Sequence, residues 1–144
     1  MHQRIAHITL LVKEYDEAIE FYTQKLDFIL LEDTVIDAQK RWVMVAPPGA
    51  KECGLLLAKA ANERQSKCIG DQTGGRVGFF LFTDDFWRDY HTMMERDIHF
   101  VRSPAEFEYG TVAVFKDLYG NMWDLIEPHK IKGHGNVRKR AKHS

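Results

Sequence analysis

The sequence predicts an α+β fold in which two tandem βαβββ modules form a curved mixed sheet around a shared cleft. A strand pattern, a helix pattern and three further strand patterns follow one another, and the same order then occurs a second time. A polar connector rich in Gly, Asn, Gln and Lys separates the two halves at residues 62–75. The chain has 144 residues, of which 44% are hydrophobic, enough for one apolar core but not for two large independent domains. We therefore expect one domain with an internal repeat.

The repeat is one of pattern rather than of sequence identity. A shift of about 71 residues superimposes the apolar positions of the two predicted helices. The superimposed pairs are Tyr15 with Phe86, Ile19 with Tyr90, and Tyr22 with Met93. We place the domain at residues 4–128, its modules at 4–60 and 76–128, and a basic tail at 129–144.

The first module begins with a predicted strand over residues 4–12. Residues of a strand alternate between its two faces, so His7, Thr9 and Leu11 share one face while Leu10 and Val12 share the other. From Tyr15 onward, apolar residues at spacings of three and four predict an amphipathic helix with acidic residues near its positive N-terminal end. Three further strands are predicted at residues 28–31, 41–46 and 54–58.

The second module repeats this order. A strand is predicted at residues 76–83 and an amphipathic helix at residues 84–96. Three strands follow at residues 99–101, 110–115 and 121–126. By strand alternation, Phe80 and Phe82 share the face of Gly78, and Met122 shares the face of Asp124.

The near-zero net charge of −1 conceals an uneven distribution. Residues 129–144 carry six Lys or Arg and no acidic residue, which leaves a balance of about −7 on residues 1–128. The tail has no aromatic residue among its basic ones, so we expect it to act as a solubilising segment, with no nucleic-acid partner.

Composition also bears on location. The two cysteines, Cys53 and Cys68, lack CxxC spacing and are expected to stay reduced. No run approaches the roughly 20 apolar residues that a membrane-spanning helix needs, and the first residues resemble the approach to a strand rather than a signal peptide. We expect a cytoplasmic protein without a membrane partner.

Two segments carry a resemblance to a known family. The opening HITLLV, followed by DEAIEFY and KLDF, resembles the strand–helix entry of the glyoxalase/bleomycin-resistance/extradiol-dioxygenase (vicinal oxygen chelate) superfamily, in which a His precedes an AxxFYxxxLGF run. The closing FKDLYGNMWDLI resembles its DPDGNxxEL signature, with Leu118 and Tyr119 in place of Pro and Asp and, earlier, Asp27 in place of Gly. With the central VGFFL strand, the resemblance covers residues 4–128 and implies a homodimer.

The resemblance also implies positions for metal ligands. Metal-dependent members take His or Glu ligands from the first and last strands of each module, which leaves positions open for two adjacent substrate oxygens. Carried over by position, His7 matches the first ligand and Asp124 the last, whereas Leu56 and Gly78 stand at the other two. His7 and Asp124 are therefore candidate ligands of Ni, Zn, Mn or Fe, or an acid/base pair, or a structural pair. A metal-free protein is the alternative.

The predicted cleft lining is apolar and aromatic, which favours a ligand with a planar or hydrophobic body. The candidate pocket residues are Thr9, Leu11, Trp42, Met44, Leu56, Phe80, Phe82 and Met122. Two functions remain open. The first is a lyase, isomerase or dioxygenase-like enzyme that acts on a small carbonyl or vicinal-oxygen compound through His7 and Asp124. The second is a metal-free protein of the bleomycin-resistance kind that sequesters an aromatic or hydrophobic small molecule.

Overall fold

The computed structural model describes residues 1–50 and 52–129, so the basic tail beyond His129 lies outside the described residues. Helix α1 continues directly into a π-helical turn, Phe21–Lys25. The elements are β1 (His7–Val12), α1 (Tyr15–Glu20), β2 (Ile29–Val35), β3 (Arg41–Ala46), β4 (Gly54–Lys59), α2 (Glu63–Cys68), β5 (Val77–Phe82), α3 (Phe86–Glu95), β6 (Phe100–Phe107), β7 (Gly110–Lys116) and β8 (Met122–Pro128). The predicted order of strand, helix and three strands is thus confirmed in both halves. No helix within the described ranges is long and apolar enough to cross a membrane.

The described chain divides into two compact units. The first comprises Met1–Gly78 together with Asp117–Asn121, and the second comprises Phe79–Lys116 together with the residues from Met122 onward. Each unit carries one four-stranded sheet, with strand orders β1-β4-β3-β2 and β5-β8-β7-β6. The short turn between β7 and β8 belongs to the first unit, although its flanking strands belong to the second.

The sheet of the first unit is mixed. Strand β1 pairs in parallel with β4, while the β4–β3 and β3–β2 pairs are antiparallel. One face is closely packed, because the side chains that α1 covers are fully removed from solvent. These side chains are Leu10, Val12, Val43, Val45 and Leu57. The alternation predicted for β1 is confirmed at Leu10 and Val12, and the opposite face carries His7, Thr9 and Leu11.

The sheet of the second unit is packed by aromatic rings. Trp123 on β8 stacks on Phe79 of β5, with ring centroids 4.7 Å apart, and lies beside Phe115 of β7 at 5.8 Å. Phe100 of β6 extends the cluster to Tyr90 on α3, with centroids 4.7 Å apart. Phe115 and Trp123 are buried and form the centre of this cluster, while the other three rings are half-buried around them.

Two strands are longer than the sequence predicts. Strand β2 continues past Leu31 to Val35 and β6 continues past Val101 to Phe107. Both are edge strands with irregular register, and β6 accommodates Pro104 at the register shift between Arg102 and Ala105. Proline is tolerated on an edge or at a bulge because no ladder hydrogen bond is required of it there. The connector likewise contains a helix that was not predicted, α2, whose first turn is capped by Asn62.

The turn between β7 and β8 is organised around one carboxylate. Asp117 is buried, and its Oδ1 accepts hydrogen bonds from the backbone N–H groups of Tyr119, Gly120 and Asn121 at 3.1, 3.1 and 2.9 Å. Its Oδ2 accepts a hydrogen bond of 2.6 Å from the Tyr22 hydroxyl on the π-helical turn. Hydrogen bonds to a carboxylate are among the stronger ones in proteins. The turn is therefore fastened to the helix of the first unit.

Tyr119 adds a second fastening point to this turn. Its hydroxyl hydrogen-bonds the Glu17 carboxylate and accepts a hydrogen bond of 3.3 Å from the Glu14 backbone N–H. Burial, with the neighbouring Glu17 carboxylate, raises the pKa of Tyr119 to about 12, so the hydroxyl remains a donor at neutral pH. The Tyr that replaces the family's Asp therefore adds helix contacts to the turn.

Candidate functional site

His7, the first candidate ligand, lies on the face of the first sheet that α1 does not cover. Its side chain is exposed, and its ring meets Trp42 of β3 edge-on, with centroids 5.8 Å apart and an interplanar angle of 89°. Its cross-strand partner on β4 is Gly54, which has no side chain and so leaves room above the sheet. In the first unit His7 therefore has an aromatic neighbour rather than an acidic one.

The other predicted residues of this face form one row across the sheet. Thr9 pairs with Leu56, Leu56 pairs with Met44, and Met44 pairs with Glu32 on the edge strand β2. Side chains directly opposite one another on adjacent strands project to the same face. The structure therefore places Thr9, Leu56 and Met44 in one row on this face.

The edge of β1 beside Thr9 and Leu11 is occupied by a side chain from the connector. Gln72 accepts a hydrogen bond of 2.9 Å from the Leu11 backbone N–H and donates one of 2.6 Å to the Thr9 carbonyl oxygen. The carboxamide thus mimics a neighbouring strand, which satisfies edge groups that would otherwise be open to pairing. At this edge the backbone of β1 is not available to a ligand.

Gly78, which stands where the family resemblance places another ligand, is covered by Thr73. A side-chain carbon added at Gly78 would lie 2.4 Å from the Thr73 methyl group, and the Thr73 hydroxyl donates a hydrogen bond of 2.6 Å to the Arg76 carbonyl oxygen. A ligating side chain would displace Thr73 from this position. The local packing therefore supports the absence of a ligand at Gly78.

Asp124 lies in the second unit, on β8. It pairs with Val114 of β7, which in turn pairs with Arg102 of β6, so the three residues form one row on the face opposite the aromatic cluster. Asp124 is half-buried, and this burial raises its pKa above the ordinary value of 3.8, while the charge of Arg102 acts weakly in the opposite direction. Within its own unit, the positive charge of Arg102 therefore does not offset the effect of burial on the pKa of Asp124.

The raised pKa gives Asp124 a pH signature. The folded state holds this proton more tightly than the unfolded chain, so the stabilisation is present below the ordinary pKa and is lost as the pH rises through the folded pKa. We expect Asp124→Asn to gain stability relative to the wild type as the pH rises from about 3.5 to about 7.5, in urea-unfolding curves. Asp71→Asn, at an exposed carboxylate, is the control. A wild-type-to-variant difference that does not change with pH would contradict the assignment.

The donor set does not favour a resident metal within either unit. A stable site for a divalent ion requires three or more protein ligands that converge on one point. Within residues 1–50 and 52–129 there is no group of three or more His, Cys, Asp and Glu side chains arranged to hold a metal ion. Leu56 and Gly78 contribute no donor, and no chemical step can be derived through a metal from the residues present.

A cavity of about 570 Å³ opens in the first unit, close to the predicted pocket residues. This volume falls within the range of small-molecule sites, about 300–1,000 Å³. Its apolar residues come from β3, β4 and the segment after β4, and its polar residues come from the loop before β3, from both of these strands and from α1 and α2. The lining residues are Tyr15, Asp37, Gln39, Lys40, Arg41, Trp42, Leu56, Leu57, Ala58, Lys59, Ala60, Ala61 and Gln65.

Sequence reasoning found Trp42 and Leu56 of this cavity but missed the groups around them. The helix pattern predicts Tyr15 only as an apolar position, yet its hydroxyl accepts a hydrogen bond from the Arg41 backbone N–H, and its ring lies 5.2 Å from the Arg41 guanidinium. The remaining polar residues belong to the loop before β3, to the end of β4 and to the connector helix, none of which carries a motif. Their proximity follows from the β3–β4 pairing, which the sequence does not encode locally.

In the second unit the predicted pocket residues are open to solvent. Phe80 and Phe82 on β5 are 61% and 65% exposed, and Met122 on β8 is half-buried. Two phenyl rings on the same strand face form an apolar patch of a kind that is usually covered by a ligand or by protein. The structure thus agrees with the predicted strand alternation, since Phe79 between them faces the other way and stacks on Trp123.

Comparisons with known proteins agree with this architecture. The family model described as "Glyoxalase/Bleomycin resistance protein/Dioxygenase superfamily" matches residues 4–125. An uncharacterized protein of Shewanella frigidimarina (strain NCIMB 400) is 58% identical over 128 residues, which cover 88% of this chain and 95% of that protein. Among solved structures, UcmS2 is 29% identical with a TM-score of 0.77, over 88% of this chain and 99% of UcmS2. TnmS3, an antibiotic binding protein from Streptomyces sp. CB03234, is 27% identical with a TM-score of 0.72, over 89% and 98%.

Proposed function

Since the chain belongs to the glyoxalase/bleomycin resistance protein/dioxygenase superfamily, we propose that it is a binding protein that sequesters an aromatic or hydrophobic small molecule without a metal. The observation that carries the proposal is the cavity of about 570 Å³ bounded by Trp42, Leu56 and Ala58. An indole beside aliphatic side chains provides a flat apolar wall for a planar ligand. In the second unit, Phe80 and Phe82 also expose aromatic surface.

The chemistry of the candidate residues supports binding over catalysis. His7 contacts an aromatic ring, and the two further ligand positions carry Leu56 and Gly78. An acid/base enzyme needs its titratable groups held by hydrogen bonds at the reacting atoms, as the carboxylate and imidazole of a dyad are. Within the first unit His7 has no carboxylate partner among the described hydrogen bonds, and within the second Asp124 is influenced by Arg102. The similarity to TnmS3, an antibiotic binding protein, favours the same conclusion.

The alternative function stays a prediction. In it, His7 and Asp124 would hold a divalent metal or act as an acid/base pair on a small carbonyl or vicinal-oxygen compound, as in a lyase, isomerase or dioxygenase. The homodimer and the cytoplasmic location stay predictions as well. The experiment below separates the two functions, because sequestration by an apolar pocket does not depend on a metal ion whereas a metal-dependent reaction does.

Binding of a neutral aromatic probe tests the proposal. We expect N-phenyl-1-naphthylamine to bind the full chain, with an increase in probe fluorescence and with energy transfer from Trp42. We expect Trp42→Ala to weaken binding about ten- to a hundredfold, since the indole supplies both apolar area and ring contact. Treatment with EDTA should leave the affinity unchanged.

Trp87→Ala is the matched control, because Trp87 is a half-exposed tryptophan on α3 and does not line the cavity. Its affinity for the probe should equal that of the wild type. Loss of binding after EDTA, with recovery on adding a single divalent metal, would favour the metal-dependent alternative. An affinity that is the same in the wild type and in Trp42→Ala would remove the cavity from consideration.

A further inference from the structure

The cavity of the first unit has three cationic side chains in its lining, and two of them are already paired. The Arg41 guanidinium forms ion pairs with Asp33 at 2.6 Å and Asp16 at 2.8 Å, which raise the pKa of Arg41 above its ordinary value. The Lys59 ammonium forms an ion pair of 3.1 Å with Glu14. These cations are therefore largely neutralised by side chains of their own unit.

Lys40 is the third cation of the lining and differs from the other two. Its side chain is exposed, and no carboxylate within residues 1–50 and 52–129 forms an ion pair with its ammonium group. The nearest acidic residue in sequence, Asp37, uses its Oδ1 to accept hydrogen bonds from the backbone N–H groups of Gln39 and Lys40 at 2.8 and 2.9 Å. Asp37 thereby holds the loop that presents Lys40 at the start of β3.

The uncharged polar groups of the lining add further donors. The Gln65 Oε1 accepts a hydrogen bond of 2.7 Å from the Ala61 backbone N–H, which leaves the Nε2 group of Gln65 as the donor of that side chain. Gln39 is another uncharged polar residue of the lining. Asp37 also lines the cavity, but its Oδ1 is engaged by two backbone N–H groups, so the Lys40 ammonium and the Gln65 Nε2 group remain as donors beside the apolar residues Trp42 and Leu56.

We propose that the cavity selects planar aromatic anions, with the ring system against Trp42 and the carboxylate or sulfonate beside Lys40. This inference rests on the proposed binding function and names the class of its ligand. An ammonium group without a protein partner gains a charge-assisted hydrogen bond when an anionic ligand arrives, whereas the paired Arg41 and Lys59 would first have to lose one. The aromatic body accounts for affinity, and Lys40 accounts for discrimination between charged and neutral ligands.

Two probes with the same ring system make the test direct. The anion 1-anilinonaphthalene-8-sulfonate differs from N-phenyl-1-naphthylamine only by its sulfonate group. We expect the full chain to bind the anion more tightly than the neutral probe, and Lys40→Met to weaken binding of the anion about fivefold while leaving the neutral probe unchanged. Raising the salt concentration should weaken binding of the anion alone in the wild type.

Lys67→Met is the matched control, since it removes the same charge from an exposed lysine of the same unit that does not line the cavity. This variant should keep the wild-type preference for the anion. Equal affinities of the two probes in the wild type, or a preference that survives in Lys40→Met, would overturn the inference while leaving the binding function in place. If neither affinity responds to Trp42→Ala, the proposed function itself fails.

Discussion

Replacing Asp117 by alanine is expected to lower the free energy of unfolding by about 3–5 kcal/mol, the cost of leaving several buried donors without an acceptor. The Asp117 carboxylate is buried and accepts hydrogen bonds from three backbone N–H groups of its own turn. It also accepts bonds from the Tyr22 hydroxyl at 2.6 Å and from the Asn121 Nδ2 at 3.0 Å. Alanine provides no substitute for either oxygen.

Two variants that remove fewer hydrogen bonds should lower the free energy of unfolding by smaller amounts. Tyr22→Phe removes only the hydroxyl bond to the charged acceptor and should cost about 1.5–3 kcal/mol. Asp117→Asn keeps one acceptor oxygen and should fall between Tyr22→Phe and Asp117→Ala. Leu118→Ala, at an exposed neighbour in the same turn, is the control and should change stability by less than about 1 kcal/mol. Urea unfolding measures all four variants. Equal losses for Asp117→Ala and Leu118→Ala would show that the carboxylate does not hold the turn.

The turn shows what the family resemblance could and could not predict. The GN pair and its preceding Asp were visible in the sequence, and Gly120 does adopt a positive φ of 104°. The partner of Asp117 was not visible, because Tyr22 is 95 positions away and its spacing on the helix is that of any buried apolar residue. A hydroxyl on an otherwise apolar stripe is the one local signal that this position forms a buried hydrogen bond.

Among the strands, those with a buried face were the best predicted. Strand β3 was predicted at residues 41–46, where it is found, because its apolar run packs into the core from Val43 to Ala46. Strand β2 lies at the sheet edge with every residue exposed, so no burial pattern marks its extension through Glu32 to Val35. Pairing with β3, a contact distant in sequence, determines its length.

The candidate site also contains residues that the sequence could place and residues that it could not. Strand alternation placed Thr9 on the face of His7, since it depends only on period two, and the structure has Leu56 and Met44 in the same row as Thr9. It could not place Lys40 beside them, because Lys40 lies in a loop whose position is set by the Asp37 hydrogen bonds and by the pairing of β3. The ion-pair partners of each cation also depend on the tertiary structure and cannot be read from the sequence. Arg41 and Lys40 are adjacent in sequence, yet Arg41 is paired with two aspartates and Lys40 with none that the structure describes.

A second large effect is expected at Gly70, where alanine should destabilise the protein by about 3 kcal/mol or more. Gly70 has a φ of +76°, and an added side-chain carbon would lie 1.9 Å from the Tyr119 carbonyl oxygen and 2.8 Å from its carbonyl carbon. Backbone atoms cannot rotate away as a side chain can, so the Asp117–Asn121 turn would have to move. Gly74 is the matched control, because it shares the positive φ, at +70°, but has nothing within 4 Å of the added carbon. Gly74→Ala should therefore show only the left-handed backbone cost of about 1–2 kcal/mol.

Thermal and urea unfolding of both variants measure the difference, which isolates the contact with Tyr119 from the conformational cost that the two glycines share. Equal losses at the two positions would mean that the connector does not press against the turn, and Gly70 would then be required for its backbone conformation alone.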